Sequence, residues 1–199
     1  MAGTTEGMAL DGNMAPLHTN WRKLMMWVFI VVDGLMFAGF LASYGFHRLA
    51  NANWPAQEEI FSLSFIAVMT FILISSSATM ASAVLAARNG SPVVTRFIWL
   101  TALGGLLFLS MQAIEWSQLI HEGVRLNTNP WGDALFGAYF FLITGFHGSH
   151  VLSGVVLLII VAVRSMKGRA TPEGVELVGL YWHFVDLVWI FIFTFFYLI

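Results

Sequence analysis

Cysteine is absent from the 199 residues, which excludes disulfides, thiolate metal sites and cysteine nucleophiles. Charge is also scarce: Asp, Glu, Lys and Arg together make up 10% of the chain, where a soluble domain carries about 25%. The formal net charge is −2 and no basic cluster occurs, so a nucleic-acid interface has no electrostatic footprint. There are only five prolines, and Pro55, Pro92, Pro130 and Pro172 all fall in polar stretches between apolar runs. The runs themselves are therefore free of helix breakers. No internal repeat is evident, which argues against a transporter built from structural repeats.

Apolar side chains take the place of the missing charge. They form 58% of the chain and raise the mean hydropathy to +0.79, the composition of an integral membrane protein. Five runs, 24–46, 60–87, 97–120, 134–163 and 177–199, reach the roughly 20 residues a helix needs to cross about 30 Å of hydrocarbon. The expected fold is an all-α bundle of five transmembrane helices. Residues 1–21 are polar and small, without the basic start and apolar core of a cleaved signal peptide. They are expected to form a short flexible arm before a helical domain at 22–199.

The basic residues set the orientation. Arg22, Lys23, Arg88, Arg96, Arg164, Lys167 and Arg169 fall on the side of the first run's start, against Arg48 and Arg125 on the other. The positive-inside rule then predicts a cytoplasmic N-terminus and a periplasmic C-terminus. Trp21, Trp54, Trp99, Trp116 and Trp131 lie near run ends, as an aromatic belt would. Small residues gather at 75–82 and at Gly137, Gly145, Gly148 and Gly154, where they allow close helix approach and serine-mediated bonds. The ten methionines are dispersed and read as packing.

Polar residues inside the runs are the candidates for function, since ionisable groups at membrane depth are costly and find partners. Asp33 lies about 16 Å along the first helix, near mid-bilayer. It reads either as a packing carboxyl or as one that carries protons or contacts lipid. Glu115, flanked by Gln112 and Gln118 at i−3 and i+3, forms a stripe expected to face a neighbouring helix. His147 and His150 share a face of the fourth run, His183 and Asp186 a face of the fifth. The four are read either as a metal or haem site or as an interhelical hydrogen-bond network of neutral imidazoles with Asp186, Thr144 and Ser149. His121 and Glu122 are expected at the interface, and no role is given to His18 or His47.

The final stretch, Tyr181-Trp-His-Phe-Val-Asp-Leu-Val-Trp189, resembles the last helix of subunit III of haem-copper oxidases. Thr144-Gly-Phe-His-Gly-Ser-His-Val151 resembles that family's histidine-bearing helix. Two shorter matches, Gln112-Ala-Ile-Glu-Trp116 and Val31-Val-Asp-Gly-Leu-Met-Phe37, follow the family's order. Asp33 stands at the position of the family's buried carbodiimide-reactive acid, usually a glutamate. The chain is similar to the short five-helix form, without the first two helices that in the long form open a lipid-filled cleft against the other five.

The resemblance implies a non-redox subunit of a proton-pumping terminal oxidase in the bacterial inner membrane, in a complex that reduces dioxygen to water. It implies no catalytic centre in this chain and no metal or cofactor bound by it, with haems and copper held by partner subunits. It further implies direct contact with subunit I, and subunit II, a small subunit IV and larger respiratory assemblies as further partners. Phospholipid near Asp33, sustained proton uptake, and a lock between the fourth and fifth helices through His147, His150, His183 and Asp186 complete the expectation. Two alternatives stand beside it: the related membrane protein associated with nitric oxide reductases, and, from another class, a small proton-coupled transporter using Asp33, Glu115 and the histidines.

Overall fold

A computed structural model describes residues 20–55 and 57–199. Most of the expected arm, with His18, lies outside the described residues. The elements in chain order are α1 (Trp21–Ala50), a short α2 (Gln57–Ile60), α3 (Leu63–Arg88), α4 (Val94–His121), α5 (Leu135–Met166) and α6 (Pro172–Ile192). α6 continues as a π-helical turn, Phe193–Leu198. Five of these helices, the last taken as Pro172–Leu198, are long and apolar enough to cross a membrane.

Most helices extend past the apolar runs because their ends are capped. Asn20 accepts from the Arg22 N–H at 3.1 Å, which starts α1 three residues before the run; Arg22, Lys23, His47 and Arg48 can hold their charges toward the interface on long or flexible stems. Thr171 caps α6 by accepting from Gly174 N–H at 3.1 Å, with Pro172 at the first helical position and Glu173 in the first turn. Both favour a helix start. α3 and α5 end on Gly90 (φ 64°) and Gly168 (φ 65°). In each case the next residue bonds back to a carbonyl five positions earlier, Ser91 to Ala86 and Arg169 to Arg164, a closure that requires the left-handed backbone at the glycine.

α3, α4, α5 and α6 pack as a closed set, α4 between α3 and α5, and α6 against both α3 and α5. α1 leans on α6 and α5 from outside and buries only Asp33, Phe37 and Tyr44. α6 is the hub, because Trp182 and Trp189 fill the centre. Trp182 lies against Gly105 of α4 and Gly154 of α5, and its indole N–H donates to Ser76 Oγ at 3.1 Å. Trp189 donates to Thr70 Oγ1 at 3.0 Å. These two central indoles thus each have a polar partner on α3, which avoids an unmet donor in hydrocarbon.

The two ends are tied separately. At the start of α1, Glu176 accepts from Lys23 at 2.9 Å and lies 3.1 Å from Arg88, joining α1, α3 and α6. At the opposite end Arg48 bonds the Ile199 carbonyl, Asn51 bonds Asp133, and Tyr44 stacks on Phe196 with centroids 4.4 Å apart.

Candidate functional site

Asp33, Ser77, His147, His150, His183 and Asp186 all fall near the middle of their helices, so the bundle carries a polar layer at mid-depth. Asp33 faces α5. Its Oδ2 lies 3.2 Å from His150 Nε2, although the contact is off the line of a well-aligned N–H···O bond and Oδ2 has no other donor. His150 Nδ1 is 2.9 Å from the Phe146 carbonyl. A carbonyl only accepts, so Nδ1 carries a proton and donates. One further proton, on either the carboxyl or Nε2, then serves both sides of the Asp33–His150 contact. Phe37 and Phe146 pack edge-on against the imidazole at 5.6 and 4.7 Å. Tyr181 lies beside it, donating to the His150 carbonyl at 3.1 Å and sitting 2.6 Å from Ser153 Oγ.

The four residues expected to tie the fourth and fifth runs do not bond one another: His150 meets Asp33 of α1, His183 and Asp186 meet Ser77 of α3, and His147 reaches the fifth run only through its stack on Trp189. His147 and His150 are three positions apart, about 60° around the helix. His150 therefore turns to α1, while His147 turns inward, where it is fully buried, stacked on Trp189 at 5.2 Å and edged by Phe108. Among the described residues neither His147 nitrogen has a hydrogen-bond partner. His183 turns to α3, its Nδ1 2.6 Å from Ser77 Oγ. The same serine is the polar group beside the Asp186 carboxyl, whose Oδ1 is buried without a partner. The steric reason is Trp182: it occupies the α5–α6 seam against Gly154, where the histidines would have had to meet. Thr144 does not join them either; it receives Trp116 Nε1 at 3.2 Å, which ties the half-buried indole of α4 to α5. Ser149 donates to its own helix at Phe146.

Glu115 and Gln112 face inward as expected, whereas Gln118 is exposed. Gln112 donates to the Thr144 carbonyl at 2.7 Å. Tyr197, brought inward on the π-helical turn, donates to Glu115 Oε2 at 3.2 Å, leaving Oε1 unpartnered. His47, His121 and Glu122 are exposed. Among the described residues no three His, Asp or Glu side chains converge as metal ligands would. Sequence reasoning missed Ser77, Tyr181 and Tyr197 as partners; the serine run at 75–77 was the available signal for the first.

Beside the Asp33–His150 contact runs an apolar groove of about 560 Å3 between α1 and α6, with Gly34, Phe37 and Ala38 near the acid and Phe191 and Phe195 at the far end. Residues 4–199 match the family described as cytochrome c oxidase subunit III. The chain belongs to that family. It is 34% identical over 196 residues to the probable cytochrome c oxidase subunit 3 of Nocardia farcinica, covering 96% of this chain and 94% of the relative. It is 34% identical to the cytochrome c oxidase subunit 3 of Thermostichus vulcanus, covering 100% and 98%. It is equally identical to the probable quinol oxidase subunit 3 of Staphylococcus saprophyticus, covering 100% and 95%. A subunit III is a multi-pass membrane component of a terminal oxidase, and works beside other oxidase subunits.

Proposed function

We propose that this subunit III supports a proton-pumping oxidase of the bacterial cytoplasmic membrane by stabilising subunit I, holding a phospholipid chain at the α1–α6 groove and sustaining proton uptake over many turnovers. The haems and copper belong to partner subunits in this reading, and subunit II completes the catalytic unit. The N-terminus is cytoplasmic, so the Lys23–Glu176–Arg88 cluster lies at the cytoplasmic interface, in keeping with the excess of basic residues at that end.

The observation that carries the reading is the Asp33–His150 contact at mid-depth, flanked by a groove that is apolar along its whole length. A carboxyl at the bilayer centre costs about 2.5–3.5 kcal/mol on insertion scales. Here it is retained on the helix that the bundle holds least, where packing alone would favour an apolar side chain. The groove accommodates an acyl chain, and α1 contributes four small residues, Gly34, Ala38, Ala42 and Gly45, to its wall.

The test is Asp33→Ala in the intact oxidase. Assembly and initial oxygen uptake are expected to remain, while activity decays faster during sustained turnover and co-purifying phospholipid falls. Unchanged turnover lifetime and unchanged lipid content would remove Asp33 from the mechanism. The reduced-minus-oxidised spectrum of the wild-type preparation, with oxygen uptake driven by cytochrome c or by quinol, identifies the electron donor.

A further inference from the structure

The seam between α3 and α6 carries a polar group that the bundle leaves unfinished. His183 lies near the middle of the Pro172–Leu198 span and is half-buried. Ser77 occupies its Nδ1, and among the described residues no hydrogen bond reaches its Nε2. Asp186, on the same face of α6, is 8% exposed and keeps one oxygen without a partner. A cavity of about 290 Å3 opens along this seam, with Arg88 and Glu176 at one end, His183 at the other, and Ala81, Leu85 and Leu180 between.

Exposed hydroxyls elsewhere on the long helices are already met, although among the described residues Gln112 Oε1 is left unpartnered beside a smaller cavity at the α4–α5 seam. The exposed serines of α4 and α5 spend their hydroxyls on their own helix: Ser110 on the Leu106 carbonyl, Ser117 on Ala113 and Ser149 on Phe146. Hydrocarbon can lie against such faces at no polar cost. It cannot supply a donor or acceptor to His183, and an acyl chain in this cavity would leave the imidazole Nε2 unmet. On the α3 side the exposed stripe at this depth is Ile74, Ala78 and Ala81, and the two alanines are small enough for a neighbouring backbone to come close.

We infer that the α3–α6 seam docks a transmembrane helix of another oxidase subunit, one that presents a hydrogen-bonding side chain at the level of His183. The inference rests on the oxidase-subunit reading, because that is what supplies a partner helix. The incoming side chain completes His183 Nε2, the cavity-lining polar group that Ser77 leaves half-met. The polar layer of the bundle then has two outlets, Asp33–His150 beside α1 and Ser77–His183 beside α3, of which only the second is left open to a partner.

The test places a photo-reactive p-benzoylphenylalanine at Leu85, an exposed side chain of the cavity wall, and separately at Leu106 on the exposed face of α4, in the complete oxidase in native membranes. The expected result is an adduct from Leu85 with another oxidase subunit, mapped by mass spectrometry to a transmembrane segment. Adducts from Leu85 with lipid alone, or with a second copy of this chain, overturn the inference. Adducts with oxidase subunits from Leu106 and none from Leu85 would leave the chain an oxidase subunit and refute this seam, whereas failure of any oxidase subunit to co-purify would refute the functional reading instead. In parallel, His183→Leu is expected to weaken retention of the subunit in a detergent titration by about three- to tenfold, the scale of one interhelical hydrogen bond, while His183→Gln retains it. Wild-type retention in His183→Leu also overturns the inference.

Discussion

Replacing Gly105 by alanine tests whether Trp182 is the wedge around which the bundle closes. A methyl group at this position would stand 2.5 Å from Trp182 Cη2 and 2.6 Å from Val155 Cγ2, inside the range that carbon contacts tolerate. Neither neighbour has room to yield. The indole is held on its other flank by Gly154, where a Cβ would lie 2.9 Å from the ring, and at its edge by the 3.1 Å bond to Ser76. Overpacking of this kind costs about 1–3 kcal/mol, and tilting the ring away from Ser76 adds the roughly 1 kcal/mol of a buried hydrogen bond. The better helix propensity of alanine returns at most about 1 kcal/mol. The expected net effect is destabilisation of about 1–3 kcal/mol, read as a lower thermal midpoint of the solubilised protein by tryptophan fluorescence. Gly39→Ala is the matched control, since nothing lies within 4 Å of a Cβ built there, and it should be neutral or slightly stabilising. A Gly105→Ala midpoint at or above wild type would refute the account of Trp182 as a fixed wedge.

Three further outcomes follow from the same contacts. Tyr197→Phe removes the hydrogen-bond donor that the described residues offer the buried Glu115 carboxyl and should cost about 1–3 kcal/mol; in a double-mutant cycle with Glu115→Met the two effects should not add, and full additivity in thermal midpoints would show that the pair is not coupled. Glu176→Gln breaks the Lys23 and Arg88 contacts, but Arg88 is well exposed and the pairs are solvated, so the loss should stay within about 1 kcal/mol and shrink further at high salt. Gly90→Ala forces a side chain into a left-handed turn (φ 64°) and should cost about 1–2 kcal/mol, with Gly90→Asn falling between the two in the same melting assay.

The mid-depth layer also explains how α1 can be held so lightly. Its interior contacts are few, and the Lys23–Glu176 pair, the Asp33–His150 contact and the Tyr44–Phe196 stack fasten it at the start, the middle and the end. Between those points the α1–α6 groove stays open. Further contacts of α1, such as Phe40 on Phe146 and Ser43 on Tyr139, reach α5 and leave the α1–α6 side open.

How much of this could be read from the chain alone follows from the range of the interactions involved. The five spans were legible because each is a sum over about 20 neighbouring residues, and Asn20, Thr171, Pro172, Gly90 and Gly168 mark helix ends through bonds that reach only a few positions. Capping shifted the ends of α1 and α6 beyond their apolar runs, and the π-helical turn at 193–198 left no mark in the hydropathy. The polar residues were recognisable as costly by type and depth, and the family by the wording of two helices. Their partners were not legible, because a partner depends on how far each helix is rotated and on which neighbour it meets. Asp33 and His150 are 117 positions apart, Ser77 and His183 are 106, and nothing local to either helix encodes the angle between them. Trp182 lies on Gly105 and Gly154 in the α5–α6 seam, and in the packed bundle His150 turns to α1 and His183 to α3. Membrane-crossing segments are a local property of sequence, and the pairing of the groups buried between them is a property of the packed bundle.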